Sequence, residues 1–79
     1  MATHLSLAQV METLAECFKE HQAKHPSYYI GYSTHGDMAN TYAESIRTGC
    51  IGLGEVGRIA CRRLGIPVNI NSLRAILSK

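Results

Sequence analysis

The chain has 79 residues, 46% of them hydrophobic and 18% charged, and its formal net charge is +2. We expect one small domain, residues 1–79, because this length leaves no room for a second. No apolar run approaches the roughly 18 residues that a membrane-spanning helix needs, and no basic segment marks a secretion signal, so we expect a cytoplasmic protein without a membrane role.

The core of so short a chain needs support. A chain of this size buries only about 60% of its unfolded surface, and such a core seldom contributes more than about 5 kcal/mol. The cysteines Cys17, Cys50 and Cys61 are odd in number and far apart, which argues against a disulfide framework. No zinc-binding spacing is present, so neither a metal nor a cofactor is expected. The expected support is a partner or a homodimer.

Charge is distributed unevenly along the chain. Residues 1–46 carry five acidic and two basic side chains, whereas residues 47–79 carry six basic and one acidic. The second half is thus the part suited to a polyanion. The alternative is that the two halves complement each other within one fold, because surface charge is generally mixed.

The first predicted helix begins after Ser6. Ser6 and Gln9 have the spacing of a capping box, and the residue before Pro26 is disfavoured in a helix, so the helix should end near Lys24. Its apolar stripe follows helical spacing and consists of Leu7, Val10, Met11, Leu14 and Phe18.

Three further helices are predicted. Asp37 is the expected cap of the second, which Gly49 ends. The third follows a glycine loop that contains Gly49, Gly52 and Gly54, and it ends at Gly65. Asn71 or Ser72 is the expected cap of the last helix.

Two segments between the helices have alternating or aromatic residues that favour extended structure. They span about residues 28–33 and 66–70 and would form a very short two-stranded element, although Pro67 suits a turn equally well. The predicted fold class is mostly α, a compact four-helix single domain in which that element is optional.

The stretch "IGLGEVGRIACRRLGIPVNIN" contains G-x-G-x-x-G at Gly52, Gly54 and Gly57 and resembles the start of an NAD(P)-binding Rossmann domain over about 20 residues. The resemblance implies a pyrophosphate at the helix N-terminus and a ribose contact near Asn71. However, "ESIRTGC" before the glycines predicts a helix end instead of a buried strand, and only eight residues follow Asn71. We therefore expect a glycine loop before a helix in which Gly57 permits close packing. Phosphate binding by "GLGEVG" remains a remote alternative.

The segments "EVGRIACRRLGI" and "NSLRAILSK" look similar to the two helices of a helix-turn-helix motif. The resemblance implies a dimeric DNA-binding regulator that uses the basic half of the chain. Its apolar residues fall one position early in the second helix, and Pro67 lies in the turn. The residues it would place on nucleic acid are Arg58, Arg62, Arg63, Asn71, Arg74 and Lys79.

No convergent catalytic set is visible. A polar cluster in one loop lacks the separate elements that catalytic groups usually come from, so its residues are expected to form turns and caps. This cluster consists of Ser33, Thr34, His35 and Asp37. His21 and His25 share a helical face but have no third metal ligand. We expect neither an enzyme nor a metal protein.

Tyrosine and arginine are enriched at binding hot spots, which makes one aromatic and one basic cluster the candidate partner site. They consist of Tyr28, Tyr29, Tyr32, Arg58, Arg62 and Arg63. The first hypothesis is therefore a small non-catalytic regulatory or inhibitory protein that binds another macromolecule. A protein is the favoured partner, and a phage or mobile-element accessory role is a guess. The DNA-binding regulator is the alternative.

Overall fold

The computed structural model describes residues 5–31 and 34–78, which form four α-helices and one short 3-10 helix. The α-helices are α1 (Leu7–Lys24), α2 (His35–Thr48), α3 (Gly54–Leu64) and α4 (Ile70–Leu77), and the 3-10 helix spans Pro26–Tyr29. The predicted four-helix, mostly α fold is confirmed.

The start of α1 is the predicted capping box. Ser6 Oγ accepts the backbone N–H of Gln9 at 3.1 Å, and Gln9 Oε1 accepts that of Ser6 at 2.9 Å. Both bonds satisfy donors that a helix start otherwise leaves unpaired. The helix ends at Lys24, as predicted, and Pro26 occupies the start of the 3-10 helix.

The cap of α2 differs from the prediction. Thr34 Oγ1 accepts the N–H of Asp37 at 3.0 Å, so Thr34 is the cap and Asp37 lies in the first turn. There the Asp37 carboxylate complements the positive end of the helix dipole. Gly49 ends α2 in a left-handed conformation, φ +77°, as its position predicted.

The cap of α4 also lies earlier than predicted. Asn69 Oδ1 accepts the N–H of Ser72 at 2.9 Å, so neither Asn71 nor Ser72 is the cap. Several polar side chains near this helix start could act as the cap. Asn69 has the extended backbone conformation of a cap residue, whereas Asn71 and Ser72 lie within the helix. Gly65 ends α3 with φ +71°, which confirms that prediction.

The optional two-stranded element is not formed by the described residues. Tyr28 and Tyr29 lie in the 3-10 helix, because Pro26 favours the first turn of a helix over an extended start. Residues 66–69 form a turn in which the Asn69 N–H reaches the Pro67 carbonyl at 2.9 Å. Tyr32 and Ser33 lie outside the described residues.

One core joins all four helices. Helix α1 packs against α2 and α3, and α4 packs mainly against α2. The fully buried core side chains are Val10, Leu14, Ala43, Ile46, Ala60, Cys61, Leu73 and Leu77.

Polar contacts fix α3 and α4 to the other helices. Arg63 on α3 forms an ion pair with Glu20 on α1, which joins the basic and acidic halves of the chain. Arg47 Nε donates to the carbonyl of Leu77 at 2.6 Å, and Arg74 Nε donates to that of Ile46 at 3.0 Å. Helices α2 and α4 thus satisfy each other's C-terminal carbonyls.

Gly57 permits close packing, as predicted, by leaving room on α3 for the side chains of Tyr42 and Leu53. A Cβ atom at Gly57 would lie within 3 Å of the Tyr42 hydroxyl and of two Leu53 side-chain carbons. Tyr42 cannot move away freely, because its hydroxyl donates to the Leu53 carbonyl at 2.5 Å. Only glycine fits this position without rearrangement.

We expect Gly57→Ala to lower the free energy of unfolding by about 1–2 kcal/mol in urea denaturation. Overpacking costs about 1–3 kcal/mol, and the gain of up to about 1 kcal/mol in helix propensity offsets part of it. Gly52→Ala is the matched control, because its Cβ would meet open space, and it should change stability by less than about 0.5 kcal/mol. A Gly57→Ala protein as stable as the wild type would contradict the close packing of Tyr42 and Leu53 at Gly57.

Candidate functional site

A cleft lies between the end of α1, the 3-10 helix, α2 and the glycine loop. It comprises two adjoining hollows of about 230 and 330 Å³. The residues that line both hollows are Phe18, Tyr28, Tyr29, Tyr42 and Ile51. We call this surface the aromatic cleft.

The rings of the aromatic cleft hold one another in place. Phe18 meets Tyr29 and Tyr42 in edge-to-face contacts, with ring centroids 5.8 and 5.5 Å apart. The Tyr28 ring stacks on the His25 ring with centroids 4.9 Å apart, and the centroids of the His25 and His21 rings are 4.6 Å apart. Such aromatic contacts stabilise a fixed arrangement beyond the area that they bury.

Tyr42 forms the floor of the aromatic cleft. Burial raises the pKa of its phenol to about 12, with a smaller contribution from Cys61. The proton therefore stays on Tyr42 at neutral pH, and its hydroxyl donates to Leu53 in the glycine loop. The loop is thus anchored to the core.

Tyr29, His21 and Glu55 form a polar chain along the cleft wall. Burial, then Glu55 and Tyr28, raise the pKa of the Tyr29 phenol, and its hydroxyl is hydrogen-bonded to His21 Nδ1. The other ring nitrogen of His21, Nε2, lies 3.7 Å from the Glu55 carboxylate.

No sequence pattern connects these three residues. Local spacing pairs His21 only with His25, whereas the His21 side chain is 11% exposed and lies between Tyr29 and Glu55. The contact from α1 to α3 spans more than thirty residues, and no local spacing indicates it.

The predicted tyrosine cluster divides by burial. Tyr28 is 67% exposed, and Tyr29 is half-buried against Phe18 and His21. Ile30, immediately after the 3-10 helix, is 83% exposed. Tyr32 lies outside the described residues.

The predicted arginines do not line the aromatic cleft. Arg58 and Arg62 are exposed and one turn apart on α3, and in the described ranges 5–31 and 34–78 no carboxylate lies within 4 Å of either. Arg63 is paired with Glu20. The structure therefore gives an aromatic cleft at the start of α3 and an arginine pair farther along it.

The predicted helix-turn-helix segment corresponds to α3, residues 65–69 and α4. Helix α4 packs mainly on α2, and Arg74 donates to a carbonyl of α2. Asn71 is exposed, and Lys79 lies outside the described residues. Arg74 is thus held by the fold, while Arg58 and Arg62 remain accessible.

The remaining candidates have structural contacts. The His35 imidazole meets the Gln22 side chain at 2.7 Å. Burial raises the pKa of the Cys17 and Cys61 thiols, which disfavours thiolate formation. Across the described part of the chain, no three His, Cys, Asp or Glu side chains are arranged to hold a metal ion. No described helix combines the length and hydropathy needed to cross a bilayer.

We expect Tyr42→Phe to remove the highest step in a tyrosinate absorbance titration. An unfolded tyrosine loses its proton near pH 10 and folded Tyr42 near pH 12. Its contribution to stability is therefore complete below about pH 10 and lost as the pH rises through about 12. The chain has four tyrosines and no tryptophan, which simplifies the measurement.

Tyr28→Phe is the control for this titration, because Tyr28 is exposed and has no part in the floor of the cleft. It should leave the highest step in place. Persistence of that step in Tyr42→Phe would contradict the assignment.

The chain was compared with protein-family models, curated proteins and solved structures, and none of them matches it.

Proposed function

We propose that this chain is a small non-catalytic protein that regulates or inhibits a protein partner by binding it at the aromatic cleft. The observation that carries the proposal is the exposure of Tyr28 and Ile30, at 67% and 83%, beside a concave aromatic surface. Ile51, which is also exposed, lines the same cleft.

The energy available from these side chains supports the proposal. Single exposed apolar residues are normal on a protein surface, but three around one cleft form a patch suited to a partner. Covering a side chain such as Ile30 contributes about 1.5–3 kcal/mol, and tyrosine adds contact area with a polar tip. Residues of this kind at the centre of an interface are typical hot spots.

The arginine pair supports a second, charged part of the proposed interface. Arg58 and Arg62 lie on one exposed face of α3 and would meet acidic groups at the rim, where charges mainly increase the association rate. Arg63 would contribute less, because Glu20 already engages it.

The proposed setting is the cytoplasm. Cys17, Cys50 and Cys61 are free thiols, which suits a reducing compartment.

A homodimer is a further proposal, and sedimentation equilibrium of the purified chain tests it.

We expect the double variant Tyr28→Ser, Ile30→Ser to bind the partner at least tenfold more weakly than the wild type. The measurement is capture of the partner from a nuclease-treated lysate of the source cell. Two hot-spot truncations of this size remove more than the 1.4 kcal/mol that a tenfold change represents. Tyr29 is unsuited to this test, because it packs on Phe18 and bonds to His21.

Val68→Ser is the matched control for the double variant. Val68 is a similarly apolar, 43% exposed residue in the turn before α4, away from the aromatic cleft. The control should retain capture. Equal capture by the folded double variant would remove the proposal.

Nucleic-acid binding is the second candidate, and the accessible arginine pair is the observation that favours it. If it is correct, the protein should shift DNA at low salt. Arg58→Gln, Arg62→Gln should then reduce the slope of log affinity against log salt by about 2, one unit per lost phosphate contact. Absence of any shift at low salt would exclude this candidate.

A further inference from the structure

We propose that the aromatic cleft binds the lysine side chain of a protein partner, with the aliphatic stem on the tyrosine rings and the ammonium group beside Glu55. The inference rests on the proposed function and names the chemistry of the partner. It depends on two properties of the cleft: its aromatic lining and the carboxylate of Glu55.

The first property is the aromatic lining. The 330 Å³ hollow is lined by Phe18, Tyr28, Tyr29 and Tyr42, and the rings of Tyr28 and Tyr29 are 6.4 Å apart and tilted by 52°. A ring face carries negative electrostatic potential and attracts an ammonium group within about 6 Å. The four methylene groups of lysine form an apolar stem that packs on such surfaces.

The second property is the carboxylate of Glu55, which lines the same hollow. Its side chain is 55% exposed, and its recorded ionic contact is His21 Nε2 at 3.7 Å. The other ring nitrogen of His21, Nδ1, is hydrogen-bonded to the Tyr29 hydroxyl, so the imidazole lies between the two side chains. No lysine or arginine in the described ranges lies within 4 Å of Glu55, so its charge is available to a ligand.

Two features oppose a bound cation. The start of α3, at Gly54, carries the positive end of the helix dipole, equivalent to about half a charge. The full negative charge of Glu55, in the first turn of the same helix, exceeds it. Lys24 lines a small neighbouring hollow together with Glu55 and competes from the outer side. The balance inside the aromatic cleft favours a cation and weighs against a phosphate at the glycine loop.

The test is an NMR titration with two capped amino acids. One is lysine with an acetyl and a methylamide cap, and the other is 2-aminoheptanoic acid with the same caps, which has the same length but no charge. Lysine should shift the backbone amides of residues 51–56 and the Tyr28 ring, and it should bind at least threefold more tightly than the neutral compound. Equal affinity, or shifts confined to other surfaces, would overturn the inference.

Substitutions at two exposed positions sharpen the test. Tyr28→Leu keeps an apolar side chain but removes the ring, and it should weaken lysine binding about threefold to thirtyfold, whereas Tyr28→Phe should retain binding. Glu55→Gln should weaken binding of lysine but not of the neutral compound. Lys24→Met removes the competing cation and should strengthen lysine binding. Unchanged lysine binding in both Tyr28→Leu and Glu55→Gln would contradict the assigned site.

The outcomes separate this inference from the proposed function. If Tyr28→Ser, Ile30→Ser loses the partner but the cleft does not prefer lysine, the partner binds through apolar contact and only the lysine inference fails. If the cleft prefers lysine but the double variant retains capture, the proposed function fails and the ligand preference stands.

Discussion

The hydrogen bond from Tyr42 to the Leu53 carbonyl is the contact on which the shape of the site depends. It holds the glycine loop against α2, and the ring of the same tyrosine packs on Phe18 of α1. Gly57 leaves the space that this hydroxyl occupies. The floor of the aromatic cleft, the position of the loop and the packing of α3 against the Tyr42 side chain therefore all follow from one buried phenol.

The basic half of the chain illustrates how a charge pattern divides between stability and recognition. Arg47 and Arg74 donate to helix-terminal carbonyls, and Arg63 pairs with Glu20, so these guanidinium groups hold the helices together. Such contacts give arginine a structural role that lysine would not replace, since the planar guanidinium presents several donors at fixed angles. Among the described basic residues of this half, Arg58 and Arg62 are the pair that remains for a partner.

Local sequence patterns predicted the helices because their causes are local. The Ser6 and Gln9 capping box and the glycines that end α2 and α3 act within a few residues. The predicted caps of α2 and α4 lie two or three residues after the observed caps, Thr34 and Asn69, because neighbouring polar residues can make the same hydrogen bonds. Aromatic propensity favours an extended tyrosine segment, but Pro26 favours the first turn of a helix, and the helix forms. The link from Tyr29 through His21 to Glu55 was not predictable, since it depends on how α3 packs on α1.

The three positions of G-x-G-x-x-G differ in how strongly the structure requires glycine. A side chain at Gly52 would enter open space, Gly54 has φ +70°, which other residues rarely adopt, and Gly57 has no room for a Cβ atom. The motif thus combines two separate constraints with one unconstrained position, and no phosphate is needed to explain either constraint. In diverging copies of this chain we expect the first glycine to drift freely, while backbone geometry preserves the second and steric contact preserves the third.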